Sequence, residues 1–226
     1  MIQPGEKVSI VGLNGSGKTT LIKLLLGLYE PESGEILIDN TDIKEYNKDE
    51  LLKKIGVVFQ DHHVYAYTLK ENIAFEDEIS TKACSVLERM NLLNKIKDFP
   101  KGFNTYLSKE FYSDGVNLSG GEAQKICIAR ALNKECCLYI FDEPSSALDI
   151  ISENRMNEVL VKSSSKTMVF ISHRLSTVVM MDRILVLEKG KLVENGSHET
   201  LLKAQGVYAR LFHQQAKQYL AKGTIA

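Results

Sequence analysis

No run of eighteen apolar residues occurs in this 226-residue sequence, so no part of it is expected to cross a bilayer as a helix. Net charge is also lacking: 28 Lys and Arg stand against 29 Asp and Glu, a formal balance of −1. Without a basic field, neither nucleic acid nor an anionic membrane surface is expected as an electrostatic partner. Cysteine is scarce. Cys84, Cys127, Cys136 and Cys137 fit no zinc spacing, and the adjacent pair lies in an apolar run, where cysteines act as small hydrophobes. A reducing, cytosolic setting is the simpler expectation. A secretory leader is not expected, because Pro4, Glu6 and Lys7 interrupt the N-terminal stretch. Repeats, low-complexity tracts and long linkers are missing too. What remains is ordinary globular composition, 44% hydrophobic and 25% charged, enough for one large domain or a core with an inserted subdomain.

Short β-branched runs alternate with helical patterns. Strands are predicted at Lys7–Val11, Glu35–Asp39, Gly56–Gln60, Leu138–Asp142, Thr167–Ser172, Arg183–Glu188 and Lys191–Glu194. Helices are predicted at Gly17–Leu26, Asp49–Lys54, Ser80–Asn91, Ser119–Asn133, Ser152–Lys162, His198–Lys203 and Val207–Tyr219. This alternation predicts an α/β fold with a mostly parallel sheet flanked by helices. Between Asp61 and Cys136 the strand signal disappears, which predicts an inserted helical subdomain. Residues 1–60 and 137–226 would then form the α/β core and 61–136 the insertion, within one domain spanning 1–226.

Residues Gly12 to Thr20 read GLNGSGKTT, after the apolar run Val8–Val11 and before Leu21–Leu25. This is the G-x-x-x-x-G-K-[ST] pattern between a strand and a helix, the setting of a phosphate-binding loop (P-loop). Glycines let the backbone wrap closely, so the N–H groups of Asn14 through Thr20, with Gly15, Ser16 and Gly17 at the bend, are placed to cradle phosphate oxygens. Lys18 is placed to reach the outer phosphates, and the Thr19 hydroxyl to ligate Mg²⁺. The chain is expected to bind a nucleoside triphosphate.

A second element is needed to hold metal and activate water. The strand Leu138–Asp142 delivers Asp142 and Glu143 at its carboxyl end, where α/β sheets bind ligands. Asp142 suits Mg²⁺ binding through water, leaving Glu143 to polarise an attacking water as general base. A further glycine-rich helix start lies at Leu118-Ser119-Gly120-Gly121-Glu122, with Ser119 as N-cap.

Together these motifs resemble the nucleotide-binding domain of ABC transporters, whose LSGGQ-like signature lies shortly before an Asp-Glu strand. The resemblance covers essentially the whole chain. It includes Gln60 as the Q-loop, Ser146-Ala147-Leu148-Asp149 as the D-loop and His173 as the switch histidine. Thr68–Ile73, Ser172–Thr177 and Glu194–Glu199 resemble the exporter branch, in which the ATPase is usually fused behind transmembrane helices. The resemblance implies ATP and Mg²⁺ as cofactors and two such domains packed head to tail, as homo- or heterodimer. Each ATP would then lie between one copy's P-loop and the other's Ser119, Gly120 and Gly121, with Asp149 working across the interface. It further implies that Gln60 touches Mg²⁺ or the attacking water and that His173 bonds the γ-phosphate. The implied place is the cytoplasmic face of a membrane, beside a transmembrane domain near Val64-Tyr65-Ala66-Tyr67.

The sequence departs from the family at several points. Glu122 occupies the usual Gln position, adding a negative charge near a phosphate-binding helix start, and Lys125 stands where Arg is frequent. The family's upstream strands and adenine-stacking aromatic have no room before Gly12. A fragment of a fused transporter is therefore expected, with weakened ATP affinity and an open sheet edge. A soluble ABC-type ATPase of DNA repair or translation is the alternative. Repair members carry long coiled-coil insertions and translation factors two cassettes, and neither feature occurs here. Intact Glu143 and His173 argue against a cassette that binds ATP without hydrolysing it.

Overall fold

The computed structural model describes residues 1–75, 78–163 and 165–223. Its main sheet has six strands in the order β4-β5-β6-β1-β7-β8: β1 (Lys7–Val11), β4 (Ile55–Val58), β5 (Leu138–Asp142), β6 (Thr167–Ile171), β7 (Arg183–Glu188) and β8 (Lys191–Gly196). β1 pairs in parallel with β6 and β7, and β5 in parallel with β6, while β8 returns antiparallel to β7. Strands buried on both faces need continuous apolar sequence, and Tyr139-Ile140-Phe141 and Met168–Ile171 supply it, fully buried with Phe141 stacked on Phe170. Each such side chain contributes about 1.5–3 kcal/mol of burial.

Contacts divide the chain into two compact units. One comprises Met1–Ile55, Cys137–Asp142 and Lys166–Ala226. It adds to its strands α1 (Lys18–Leu25), a small hairpin of β2 (Leu37–Ile38) and β3 (Thr41–Asp42), and α2 (Lys48–Lys54). After β6 come α8 (Leu175–Val178), α9 (His198–Lys203) and α10 (Val207–Gly223). Leu201 and Tyr208 bury against Val11, Val178, Ile184 and Val186, with Val207 and Phe212 packed alongside, so the C-terminal helix joins the core. The Glu194 carboxylate accepts the N–H groups of Val207 (2.5 Å) and Tyr208 (2.9 Å), capping α10.

The other unit comprises Gly56–Cys136 and Glu143–Ser165. Its helices are α3 (Leu69–Ala74), α4 (Thr81–Arg89), α5 (Leu93–Lys97), α6 (Gly120–Asn133) and α7 (Ile150–Ser163). A cluster of Leu69, Ile73, Leu87, Ile96, Phe99 and Ile126 joins α3 to α6. α7 packs on α4, which carries the segment after Glu143 into this unit.

Several elements differ from the sequence expectation. The strand predicted at Glu35–Asp39 shrinks to Leu37–Ile38, because Asp39 and Asn40 both take positive φ (52° and 63°) and turn the chain into a tight hairpin. The strand predicted at Gly56–Gln60 runs Ile55–Val58, leaving Gln60 on the segment beyond it. α3, α5 and α8 arise where no helix is predicted. Each has six residues or fewer, too short to show a helical period.

Candidate nucleotide site

Parallel pairing fixes which residues emerge together. Ile10 of β1 lies level with Ile171 of β6, and Ile171 level with Asp142 of β5. Gly12 and His173 each follow two residues beyond that line. The glycine loop, the Asp142 carboxyl and His173 therefore leave the same edge of the sheet, the carboxyl edge where α/β folds bind ligands. Asn14 and His173 also share the wall of a cavity of about 400 Å³, closed by Leu175, Tyr208 and Phe212.

The loop is shaped by its glycines. A β-carbon at Gly12 would stand 2.3 Å from the Leu187 carbonyl oxygen and 2.6 Å from Ser16 Oγ, so a side chain there has no space. Gly17 is the N-cap of α1 at φ 103° and supplies no side-chain bond. Other helices here close their first turn with a side chain: Asn47 caps α2, Ser80 caps α4 and Ser197 caps α9. The start of α1 has no such side-chain cap, the form of helix start that binds anions. The Lys18 ammonium folds over the loop, donating to the carbonyls of Gly12 (2.8 Å) and Leu13 (3.0 Å). Ser16 is buried, its hydroxyl without a hydrogen-bond partner, while Asn14, Gly15, Thr19 and Thr20 are exposed. Another hairpin turn backs the loop, with Gly190 N–H donating to the Ser16 carbonyl (3.0 Å). A triphosphate fits this arrangement of an uncapped helix start under a glycine loop with an ammonium beside it.

Mg²⁺ is tested by the donor set. Among the described residues no group of three or more His, Cys, Asp and Glu side chains could hold a metal by itself. Thr19 and Asp142 offer one oxygen site each, which suits an ion that takes one or two protein ligands and completes its shell from phosphates and water.

In the other unit, Glu143 adopts φ 49°, a left-handed conformation rare outside glycine. Gln124, fully buried on α6, holds the segment after it. Its Nε2 donates to the Glu143 carbonyl (3.3 Å) and to Ser146 Oγ (3.2 Å), and its Oε1 accepts from the Ala147 N–H (3.3 Å). Gly121 leaves room for Leu148, 3.0 Å from where a β-carbon would stand. The signature helix and the segment Glu143–Asp149 are thus packed as one piece. Gln124 has no mark in the sequence, because a glutamine within a helix carries no sign of being buried.

Ser119 and Gly120 are exposed at the start of α6, and Ser119 forms a capping box with Glu122. Asp149 caps α7, accepting from the N–H groups of Ile151 and Ser152 at 3.0 Å, and these bonds, that to Ser152 first, hold its carboxyl below the usual range. Beside it Ile150 and Ile151 are exposed apolar residues. Gln60 is exposed, and its carbonyl meets His62 Nδ1 at 3.1 Å. Arg130 of α6 donates to the carbonyls of Asn72 (2.6 Å) and His63 (3.1 Å) and lies over the ring of Tyr65, which ties the segment after Gln60 to the signature helix.

A glycine-looped helix start at the carboxyl edge of a mostly parallel sheet, beside a strand-end carboxylate, defines a P-loop nucleotide-binding domain. The chain belongs to the ABC transporter family, whose model matches residues 1–146. It is 42% identical over 221 residues to the subtilin transport ATP-binding protein SpaT of Bacillus subtilis, covering 93% of this chain and 35% of that protein. The mitochondrial iron-sulfur clusters transporter ATM1 of Saccharomyces cerevisiae is 42% identical over 210 residues, 91% of this chain and 30% of that one. The ATP-dependent lipid A-core flippase of Alkalilimnicola ehrlichii is 42% identical over 218 residues, 95% and 36% respectively. A solved bacterial Atm1-family ABC exporter with ATP bound superposes with a TM-score of 0.84 at 37% identity, covering 94% of this chain and 37% of that one. The chain spans about a third of the length of the curated relatives it matches.

Proposed function

We propose that this chain is the ATP-hydrolysing motor of an exporter, closing head to tail with a second ATPase domain around two ATP molecules. The transmembrane domain would be fused on the same polypeptide, and the motor would work on the cytoplasmic face of the membrane. The observation that carries the reading is the shared register of Ile10, Ile171 and Asp142, which brings the glycine loop, a carboxylate and His173 to one edge. Relatives named for subtilin, lipid A-core and iron-sulfur clusters each match more than nine-tenths of this chain at 42% identity. Cargo choice therefore belongs to segments outside this domain.

In this mechanism the amides of Asn14 through Thr20 bind the phosphates and Lys18 neutralises the outer ones. Thr19, Asp142 and Gln60 would hold Mg²⁺, which when bound offsets charge on the β- and γ-phosphates. Glu143 takes the proton from the attacking water, and His173 donates to the γ-phosphate. Ser119, Gly120 and Gly121 of the second copy complete the site and exclude water, with Asp149 at the seam. Exposed Ile150 and Ile151 suit an interface that closes there. Replacing Glu143 by Gln tests the reading: ATP-dependent dimers should persist while turnover is lost. Hydrolysis at the parent rate in Glu143→Gln would overturn the assignment of the base.

A further inference from the structure

Glu122 looks, in the sequence, like a bare negative charge beside a phosphate-binding helix start. The structure gives it two partners. Its Oε2 accepts the Ser119 N–H at 2.8 Å, and its Oε1 meets the ammonium of Lys95, which stands on α5, 27 residues away in sequence. Lys95 is held in reach because the next residue, Ile96, is buried in the same cluster as Ile126 of α6. Burial alone would push the Glu122 carboxyl up, but the bonds from Lys95 and Ser119 outweigh it and hold it below the usual range. Glu122 is therefore ionised at neutral pH. Its charge sits in the first turn of a 14-residue helix whose exposed Ser119 and Gly120 point the positive end outward.

We propose that Lys95 is a positioning residue for the signature helix: it cancels the charge of Glu122, so that the start of α6 still attracts the terminal phosphate of ATP held by a second copy of this chain. This rests on the two-copy reading above. The carboxylate serves the fold, closing the capping box, and the lysine removes the penalty that the same carboxylate would impose on an incoming triphosphate. Glutamine at this position would cap without charge and would need no lysine. The pair is a coupled substitute for it.

The test measures ATP-dependent dimerisation by analytical ultracentrifugation with Mg·ATP, in the Glu143→Gln background so that nucleotide is not consumed. Lys95→Met should weaken closure about threefold per site, the scale of one charge at a helix terminus. Since a dimer closes two sites, its dissociation constant should rise about tenfold. Lys95→Arg, which keeps the charge, should match the background. Lys95→Met with Glu122→Gln should return to the background affinity, and ATP binding by the monomer should be the same in all variants. A Lys95→Met protein that dimerises like the background overturns the proposal. So does a double variant that stays as weak as Lys95→Met, since packing rather than charge would then be at work. If the background itself forms no ATP-dependent dimer, the two-copy reading fails and this proposal falls with it.

Discussion

Replacing Gln124 by Ala should damage turnover far more than stability. The side chain makes three hydrogen bonds at 3.2–3.3 Å to the segment Glu143–Ala147, each worth about 1 kcal/mol net. They hold Glu143 at φ 49°, a conformation that costs about 2 kcal/mol for a residue with a β-carbon. Removing the clamp forfeits about 3 kcal/mol but lets Glu143 relax and recover about 2, so the net loss of stability is about 1 kcal/mol. For a chain of this size that is a fall of about 2–4 °C in melting temperature. The recovered strain acts differently on catalysis. At about 1.4 kcal/mol per decade, 2 kcal/mol favours the relaxed conformer by about thirtyfold, so kcat should fall about thirtyfold. Binding of Mg·ATP should be unchanged, because the glycine loop belongs to the other compact unit. The assay is steady-state phosphate release alongside calorimetric melting and nucleotide titration. A Gln124→Ala protein with kcat within twofold of the parent, or one that loses kcat only in step with folded fraction, would refute the reasoning.

Tyr208 gives a prediction in pH. Burial pushes its phenol up to about 12, above the ordinary value of 10.0, while it bonds His198 Nδ1 at 2.7 Å. A pKa raised on folding contributes stability that is complete below the unfolded value and lost as pH climbs through the folded one. The denaturant midpoint should therefore carry a Tyr208-linked decline between about pH 10 and 12, measured against Tyr208→Phe. Tyr208→Phe should lack that component and be less stable at pH 8 by about 1 kcal/mol, the value of one lost hydrogen bond. Parallel declines in the two proteins would contradict the assignment.

Much of the site is legible in the sequence because its chemistry is local. Gly12 to Thr20 must be glycine-rich and followed by a helix to offer bare amides, so spacing alone marks the loop. Asp142 and Glu143 end an all-apolar strand, and such a strand can only be buried with its carboxyl end at the ligand edge. Capping residues were equally local: Ser119 and Ser80 start helices where their hydroxyls predict. The Thr68–Glu71 box also had the right spacing, but α3 ends after six residues, before any apolar period could appear. The remainder depends on contacts between distant residues. Lys95 and Glu122 become partners only when α5 and α6 pack, and Gln124 becomes a clamp only when the segment after Glu143 folds against α6. Left-handed φ at Glu143 has no signature at all, since sequence marks that conformation through glycine or asparagine. The Asp39-Asn40 turn did carry such a signature, and it wins over the β-branched run that suggests a longer strand.

The central claim is that a triphosphate lies on the loop around Lys18. Calorimetric titration of Mg·ATP into the parent and into Lys18→Ala tests it most directly, since the ammonium stands over the glycine loop, donating to the Gly12 and Leu13 carbonyls. The account predicts saturable binding by the parent and an affinity at least about a hundredfold weaker in Lys18→Ala, the scale of a lost charge-assisted bond of about 3 kcal/mol. Equal affinity in the two proteins, both folded, would contradict it.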